Sequence, residues 1–330
     1  MGKRRGGVSG LARFLQQSTE ENAGNPTESD VRPAKKRKTA NGDSSGFVPL
    51  EGSESSTQWI KSYDATGMVP HYTHRSEVPE HLQKYFAQRT RFLSLYSSPP
   101  GCLLDEEGWY SITPELVADR IAERCRCDTI LDAFCGVGGN AIAFAKTCER
   151  VIALDISPTR LALARHNAQI YGVADRIEFI LSDYISFANS YLSIPNSASL
   201  RKIDVVFLSP PWGGPGYISG DTRPASPVKP DPPTTPAEQP AHPTYTLDSI
   251  QPIHGADLFH LSRRITRNVA FYLPRNTQLE EISALLPTSG VEDDKKEMIE
   301  VEEEWMGPKL KALTCYFGGL ADGQPELFDA

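Results

Sequence analysis

Paired cysteines are missing from this chain of 330 residues. The six cysteines are scattered, and none forms a C-x-x-C pair. Cys125 and Cys127 stand one residue apart, which is too close for the usual spacing of zinc ligands. We therefore expect six free thiols, as in a reducing compartment, and no resident metal.

Long apolar runs and a surplus of positive charge are also missing. No segment approaches the ~20 apolar residues that span a membrane, and MGKRRGG at the start lacks the apolar stretch of a signal peptide. The net charge of −8 argues against a general coating of nucleic acid. Residues 1–40 nevertheless hold nine Lys or Arg against four Asp or Glu, so the remainder is more acidic than the whole. Any nucleic acid should therefore occupy a local site.

Two segments have compositions that do not support a packed core. Residues 1–56 are polar and rich in Gly, Ser, Glu and Lys, which predicts a disordered tail. Within it, PAKKRK (33–38) is typical of a nuclear-localisation signal, although a solvated run of charges has the same appearance. Residues 219–243 are dense in proline and almost without apolar side chains, which predicts a disordered or polyproline-like insertion.

The rest of the chain alternates apolar strands with helices. Apolar residues recur at three- and four-residue spacing over 78–96, which predicts a helical N-terminal extension covering 57–112. Over 113–320, the strands TILDAF, VIALDI, RIEFIL and DVVFL alternate with helical segments, and a hairpin closes the series. This pattern predicts an α/β, Rossmann-like domain with a mostly parallel sheet and a C-terminal antiparallel hairpin, followed by a tail at 321–330.

A glycine-rich motif and three aspartates follow the predicted strands. DAFCGVGGN (132–140) joins a strand to a helix, where glycines let the backbone approach a ligand, although a tight turn is the alternative. Asp155 ends the second strand, where a carboxylate can accept both hydroxyls of a ribose. Asp183, after the third strand, can accept the amino group of an adenine, and a simple loop aspartate is an equal alternative. Together these residues predict a nucleoside-containing cofactor at the carboxyl ends of the strands.

The stretch FLSPPWGGPGY (207–217) follows the fourth strand at the same edge. A small polar residue followed by Pro-Pro-aromatic resembles the Asn/Asp-Pro-Pro-aromatic signature of methyltransferases that modify exocyclic amino groups of bases. A side-chain oxygen and a proline carbonyl can accept the two hydrogens of such an amine, while the aromatic ring stacks on the base. A structural Pro-rich turn alone would not call for a tryptophan beside two glycines.

These motifs, with LARHNAQIYG, EGWYSITPE and FYLPRN, closely resemble the trimethylguanosine synthase family over about residues 78–320, without the insertion. The resemblance implies an S-adenosylmethionine-dependent RNA-cap guanine-N2 methyltransferase that acts twice on the 7-methylguanosine cap of small nuclear and nucleolar RNAs. It also implies a monomer without metal in the nucleus or nucleolus. Its partners would be capped RNA and ribonucleoprotein proteins, with no membrane.

The resemblance further implies roles for individual residues. Asp155 would hold the ribose of the donor and Asp183 its adenine. The rest of the donor cleft would be lined by Asp132, Phe134, Gly136, Gly138, Ser111 and Thr113. Ser209 and the carbonyl of Pro210 would orient the amine, and Trp212 would stack on 7-methylguanine. Contacts with the base, ribose or triphosphate of the cap would come from Lys84, Asn167, Tyr217 and Arg275.

The chain departs from the family pattern at two places. Gly216 stands where an acidic residue often precedes the tyrosine, and Asp-Ile-Ser replaces the commoner Asp-Ile-Asp at 155–157.

Two other functions fit the same residues. A guanine-N2 or adenine amino methyltransferase acting inside ribosomal or transfer RNA would not require an existing 7-methyl group or Trp212. A catalytically idle cap-binding scaffold would keep Trp212 but tolerate the loss of Asp155.

Overall fold

One mixed sheet organises the computed structural model, which describes residues 59–194, 202–212, 244–286 and 297–328. Its seven strands are β1 (Thr129–Asp132), β2 (Arg150–Asp155), β3 (Ile177–Leu181), β4 (Val205–Leu208), β5 (Val269–Pro274), β6 (Glu300–Met306) and β7 (Lys309–Tyr316). They lie in the order β3-β2-β1-β4-β5-β7-β6. The first five are parallel, and β7 is antiparallel to β5 and β6. The predicted Rossmann-like sheet with an antiparallel hairpin at one edge is confirmed.

Helices cover both faces of this sheet. The described residues contain α1 (Gln83–Phe86), α2 (Arg89–Phe92), α3 (Glu106–Ser111), α4 (Glu115–Arg124), α5 (Gly139–Thr147), α6 (Pro158–Ile170), α7 (Tyr184–Ser193), α8 (Gly255–Arg263) and α9 (Leu279–Ser283). Helices α4, α5 and α6 pack on one face, and α7, α8 and α9 pack on the other. The strands between them are therefore nearly all apolar, and every side chain of β4 is buried.

Each face of the sheet has an apolar core, and the N-terminal extension forms a third one around Trp109. Phe86, Tyr96 and Trp109 pack together, with ring centroids 5.5 to 6.3 Å apart. Val137 of the glycine-rich loop and Leu163 of α6 belong to the same core, so the extension packs directly against the sheet domain. The helical pattern predicted over 78–96 is realised as short segments rather than one long helix, as the chain bends around this core.

Two buried side chains of α6 bind the extension by hydrogen bonds. His166 accepts from the Ala65 N–H at Nδ1 (3.2 Å), and its Nε2 lies 3.0 Å from the Gly101 carbonyl, so Nε2 carries the proton. Asn167 accepts from the Leu103 N–H (2.7 Å) and donates to the carbonyls of Leu103 and Val137, both at 2.9 Å. Asn167 is fully buried. The substrate contact expected for Asn167 is therefore corrected, because the whole amide is used inside the protein.

The C-terminal residues also differ from the sequence expectation. The segment predicted as a tail from 321 packs on the domain as far as residue 328. Gln324 is buried and donates to the carbonyls of Met298 and Gly318, and Asn268 donates to the Phe328 carbonyl. A polar segment of this kind is fixed by hydrogen bonds, which hydrophobic periodicity does not reveal.

The remaining expectations from the sequence concern the cysteine thiols, membrane-spanning helices and the low-complexity segments. All six cysteines are free thiols. No helix within the described residues has the length and apolar character needed to cross a membrane. The predicted disordered tail with its basic cluster, the proline-rich insertion and Tyr217 all lie outside the described residues.

We expect the buried amide of Asn167 to contribute strongly to the free energy of unfolding. Asn167→Asp removes both donated hydrogen bonds and places a carboxylate against the carbonyls of Leu103 and Val137. Leaving two buried acceptors unpaired should lower the free energy of unfolding by about 3 kcal/mol or more. Urea unfolding followed by circular dichroism measures this change. The matched control is Asn189→Asp on the exposed side of α7, which should change it by less than about 0.5 kcal/mol. Equal effects of the two variants would contradict the role of Asn167.

Candidate active site

The carboxyl ends of the parallel strands bring the predicted site residues to one edge of the sheet. Asp132 ends β1, Asp155 ends β2, Asp183 follows β3 and Ser209 follows β4. Asp132 is paired in register with Ala153 and Phe207, so the neighbouring strands end at nearly the same level. Ligands of open α/β sheets bind outside these carboxyl ends.

Asp155 lies at the carboxyl end of β2 and has a structural role there. One carboxylate oxygen accepts from the Gly136 N–H (3.1 Å) and the other from the Ser157 N–H (2.7 Å). Burial raises the pKa of Asp155, while these N–H groups and Arg160 oppose the rise. Each oxygen retains a second lone pair. The carboxylate can therefore fix the glycine-rich loop and still accept from two hydroxyls.

Asp132 is fully buried, and the hydrogen-bonding capacity of its carboxylate is largely unused. Its Oδ1 lies 3.4 Å from the Phe134 nitrogen, and its Oδ2 has no hydrogen-bond partner among the described residues. Burial, with a smaller contribution from the negative charge of Asp155, raises the pKa of Asp132 to about 7. A buried oxygen without a partner is costly. It is the feature expected where a ligand supplies a donor or a positive charge.

The glycine-rich loop has the shape of a cradle. Gly136 has a φ of +52°, and a Cβ built there would meet nothing within 4 Å. Gly138 has a φ of +93°, and its Cβ would lie 3.1 Å from that of Ala164. The loop therefore needs glycine at 138 to approach α6, and it leaves open space at 136. Phe134 is half-buried, with its ring centroid 5.8 Å from that of Tyr184.

The end of the extension lies directly against this loop. Thr113 is buried, and its hydroxyl accepts from the side-chain amide of Asn140 at the start of α5 (3.0 Å). The neighbouring Ser111 is exposed. A Cβ at Gly139 would lie 3.0 Å from Ile112, so the two segments are in close contact. Both residues predicted at the cleft, Ser111 and Thr113, are therefore near the glycine-rich loop.

Asp183 is the N-cap of α7. Its side chain accepts from the Ser186 N–H (2.8 Å), and this bond holds the pKa of Asp183 below its usual range. Asp183 is exposed, so its other oxygen stays accessible. The capping role explains an aspartate here without a ligand, while the place at the end of β3 keeps it next to Asp155.

The Ser-Pro-Pro-Trp segment leaves β4 beside β5. Ser209 is half-buried, Pro210 is buried and Pro211 is exposed. Trp212 is half-buried and lies on Tyr272 of β5, with ring centroids 5.1 Å apart and planes inclined by 31°. One side of the indole is thus supported by the sheet at the edge where the other site residues converge.

Two cationic side chains predicted to contact the cap lie at the periphery. Lys84 is exposed on α1, with its ammonium 4.8 Å from the centroid of the Tyr85 ring. Arg275 is exposed just beyond β5 and lies 3.4 Å from the Leu310 carbonyl at Nη1. Neither residue forms a salt bridge with another described residue, so both charges are available to anions.

The structure also places three further residues, Ile156, Asn140 and Tyr272, at the candidate site, and the sequence analysis did not include them. Ile156, taken there as the end of a strand, is 71% exposed just after Asp155. The Oδ1 atom of Asn140 is buried without a partner among the described residues. Tyr272 supports Trp212 from a strand whose apolar sequence suggested only core. An aliphatic residue directly after a strand-tip aspartate was a usable signal for Ile156, whereas Asn140 and Tyr272 depend on tertiary contacts.

An ion-pair cluster fixes the extension beside Asp155. Arg160, in the first turn of α6, donates to Asp105 at 3.1 Å and also to Glu107. Asp105 in turn caps α3 by accepting from the Gly108 N–H. The cluster therefore holds α3, which ends at Ser111, against the start of α6.

Comparison with known proteins agrees with this geometry. A family model described as RNA cap guanine-N2 methyltransferase matches residues 127–223 and 228–320. The trimethylguanosine synthase of Schizosaccharomyces pombe is 37% identical over 212 residues, which are 63% of this chain and 76% of that protein. The trimethylguanosine synthase of Saccharomyces cerevisiae is 32% identical over 210 residues, 61% of this chain and 57% of that protein.

Solved structures resemble the chain more distantly. A methyltransferase from Geobacter sulfurreducens shares 15% identity with a TM-score of 0.37, covering 76% of this chain and 99% of that protein. This similarity adds nothing to the assignment of activity, which rests on the matched sequence family. The extent of the family match, over more than half of the sequence, and the strand-end residues that it includes lead to one conclusion: the chain belongs to the RNA cap guanine-N2 methyltransferase family.

Proposed function

We propose that this enzyme transfers methyl groups from S-adenosylmethionine to the 2-amino group of 7-methylguanosine caps. It acts twice and gives the 2,2,7-trimethylguanosine cap of small nuclear and small nucleolar RNAs in the nucleus. The observation that carries the proposal is the segment Ser209 to Trp212, which leaves β4 one strand away from Asp132 and two strands away from Asp155, with the indole supported by Tyr272.

The residues at the strand ends fit the donor. Asp155 would accept from the ribose hydroxyls, Asp183 would meet the adenine amino group, and the exposed Ile156 would cover a face of the base. The unpartnered oxygen of Asp132 and the open cradle at Gly136 suit the positively charged methionine part. When bound, S-adenosylmethionine supplies an electrophilic methyl group on a cationic sulfur.

The chain would act mainly by positioning the amine. The hydroxyl of Ser209 and the carbonyl of Pro210 would accept its two hydrogens and hold it in the cleft. The indole of Trp212 would stack on 7-methylguanine, whose positive charge adds a cation–π attraction of about 2 kcal/mol when desolvated. Lys84 and Arg275 would neutralise phosphates of the cap. Orientation of this kind can provide most of a rate enhancement. The proton is released to water, since a methylated ammonium is strongly acidic.

One assay separates this function from its alternatives. Purified protein with labelled methyl donor is offered 7-methylguanosine diphosphate, guanosine diphosphate and uncapped ribosomal or transfer RNA. Mass spectrometry of the products should show one and then two methyl groups on the 7-methylated nucleotide. Methylation of internal residues only would favour the alternative enzyme, and donor-independent cap binding without product would favour the scaffold.

Asp155 should be essential for donor affinity. Asp155→Ala removes two charge-assisted hydrogen bonds to the ribose, so affinity for S-adenosylhomocysteine should fall more than about 100-fold in calorimetry. The same change leaves the N–H groups of Gly136 and Ser157 unpaired, which should also lower the free energy of unfolding by about 1–3 kcal/mol. The assay is therefore run at a temperature where the variant is folded by circular dichroism.

The control for this prediction is Asp175→Ala, at the opposite end of β3. Asp175 is exposed and precedes the strand, so its loss should leave donor affinity within about twofold. Near-normal affinity of a folded Asp155→Ala variant would refute the ribose assignment.

Trp212 should make the enzyme selective for the 7-methylated base. The neutral guanine loses the cation–π attraction of about 2 kcal/mol, so kcat/KM for guanosine diphosphate should be about thirtyfold lower. Trp212→Ala should lose at least this factor on 7-methylguanosine diphosphate, whereas Trp212→Phe should retain part of the activity. Donor affinity should survive both changes.

The matched control is Trp305→Ala. Trp305 is 45% exposed on β6, the outermost strand beyond β7, and its indole donates to Glu303. Its loss should leave both substrates unaffected. If Trp212→Ala lost the same factor on both nucleotides, its role would be packing on Tyr272 rather than recognition of charge.

A further inference from the structure

A second group of positive charges lies at the turn of the C-terminal hairpin, where β7 begins. Lys309 and Lys311 belong to the first three residues of β7, and Arg275 follows β5. The guanidinium of Arg275 points towards the Leu310 carbonyl, between the two lysines in sequence. Lys309 and Arg275 are exposed, and Lys311 is half-buried. We call these three residues the hairpin cations.

Strand register places the hairpin cations on the active-site side of the sheet. Pro274, the last residue of β5, pairs with Ala312 of the antiparallel β7. Residues 309–311 therefore extend beyond the carboxyl end of β5, the edge at which Ser209 and Trp212 leave β4. Tyr272, which supports Trp212, lies three residues before Arg275, or about 10 Å along the strand. The hairpin cations thus continue outward from the position proposed for the cap.

Their charges are not neutralised by described carboxylates. The nearby acidic groups of β6 have other partners: Glu303 accepts from Trp305, and buried Glu304 accepts from Thr314 and Arg120. Burial, together with the positive charges of Lys309 and Arg275, lowers the pKa of Lys311. In a chain with a net charge of −8, a local group of cations without a carboxylate partner among the described residues marks a surface suited to a polyanion.

We propose that Lys309 and Lys311 bind backbone phosphates of the RNA chain that leads away from the cap, with Arg275 forming the junction between cap and chain. This inference rests on the proposed function and extends it from the cap nucleotide to the RNA. Phosphate contacts through lysine carry no sequence information. The surface would therefore favour capped RNA over a free cap nucleotide without selecting a sequence.

The test compares two substrates with the double variant Lys309→Gln/Lys311→Gln. For a capped, unstructured ten-nucleotide RNA, kcat/KM should fall about tenfold, whereas for 7-methylguanosine diphosphate it should stay within twofold. Single-stranded RNA releases about 0.7 counterions per neutralised phosphate. The slope of log kcat/KM against log salt for the capped RNA should therefore become shallower by about 1.4 in the variant.

Lys202→Gln is the matched control, because Lys202 is exposed before β4 at the opposite edge of the sheet. It should leave both substrates and the salt slope unchanged. Equal losses on the two substrates, or no loss on capped RNA, would overturn the proposal. Failure of the wild type to methylate either substrate would instead refute the proposed function. In that case, fluorescence anisotropy with an uncapped ten-nucleotide RNA still tests RNA binding by the hairpin cations. Equal affinity of the double variant and the wild type would refute this binding.

Discussion

The side-chain amide of Asn167 joins the three parts of the molecule that form the candidate site. Its oxygen and nitrogen satisfy both backbone groups of Leu103 in the extension, and its second hydrogen reaches Val137 of the glycine-rich loop. The amide itself belongs to α6, which begins beside Asp155. A buried amide costs little only when all its groups are paired. This requirement fixes the loop, the helix and the extension in one arrangement.

The same arrangement makes the extension part of the cleft rather than an appendage. Trp109 and its neighbours form a core that includes Val137 and Leu163 of the sheet domain. The ion pairs of Arg160 hold α3 against α6, and Thr113 is joined to Asn140. The extension therefore contacts the glycine-rich loop directly, through Gly108, Trp109 and the segment Ile112–Thr113.

Charge divides the site into two regions. Asp132 and Asp155 are buried at the ends of the inner strands, where burial raises the pKa of both and where a cationic ligand is favoured. Lys84, Arg275 and the lysines of the hairpin lie outside, exposed or half-buried, without described ion-pair partners. Buried carboxylates and exposed cations are therefore kept apart within one protein of net negative charge, an arrangement compatible with the cationic donor and the phosphate-bearing substrate of the proposed reaction.

The sequence alone determined the strands, the glycine-rich loop and the aspartates at strand ends, because these depend on local periodicity and on backbone conformations that only certain residues adopt. It also indicated the family, since the Ser-Pro-Pro-Trp segment is unusual and follows a strand at the edge where ligands bind. It could not show that Asn167 is a buried structural amide, that Asp155 holds the Gly136 N–H, or that Tyr272 supports Trp212. Those roles were decided by the tertiary structure, because each depends on a partner that packing brings close from another part of the chain.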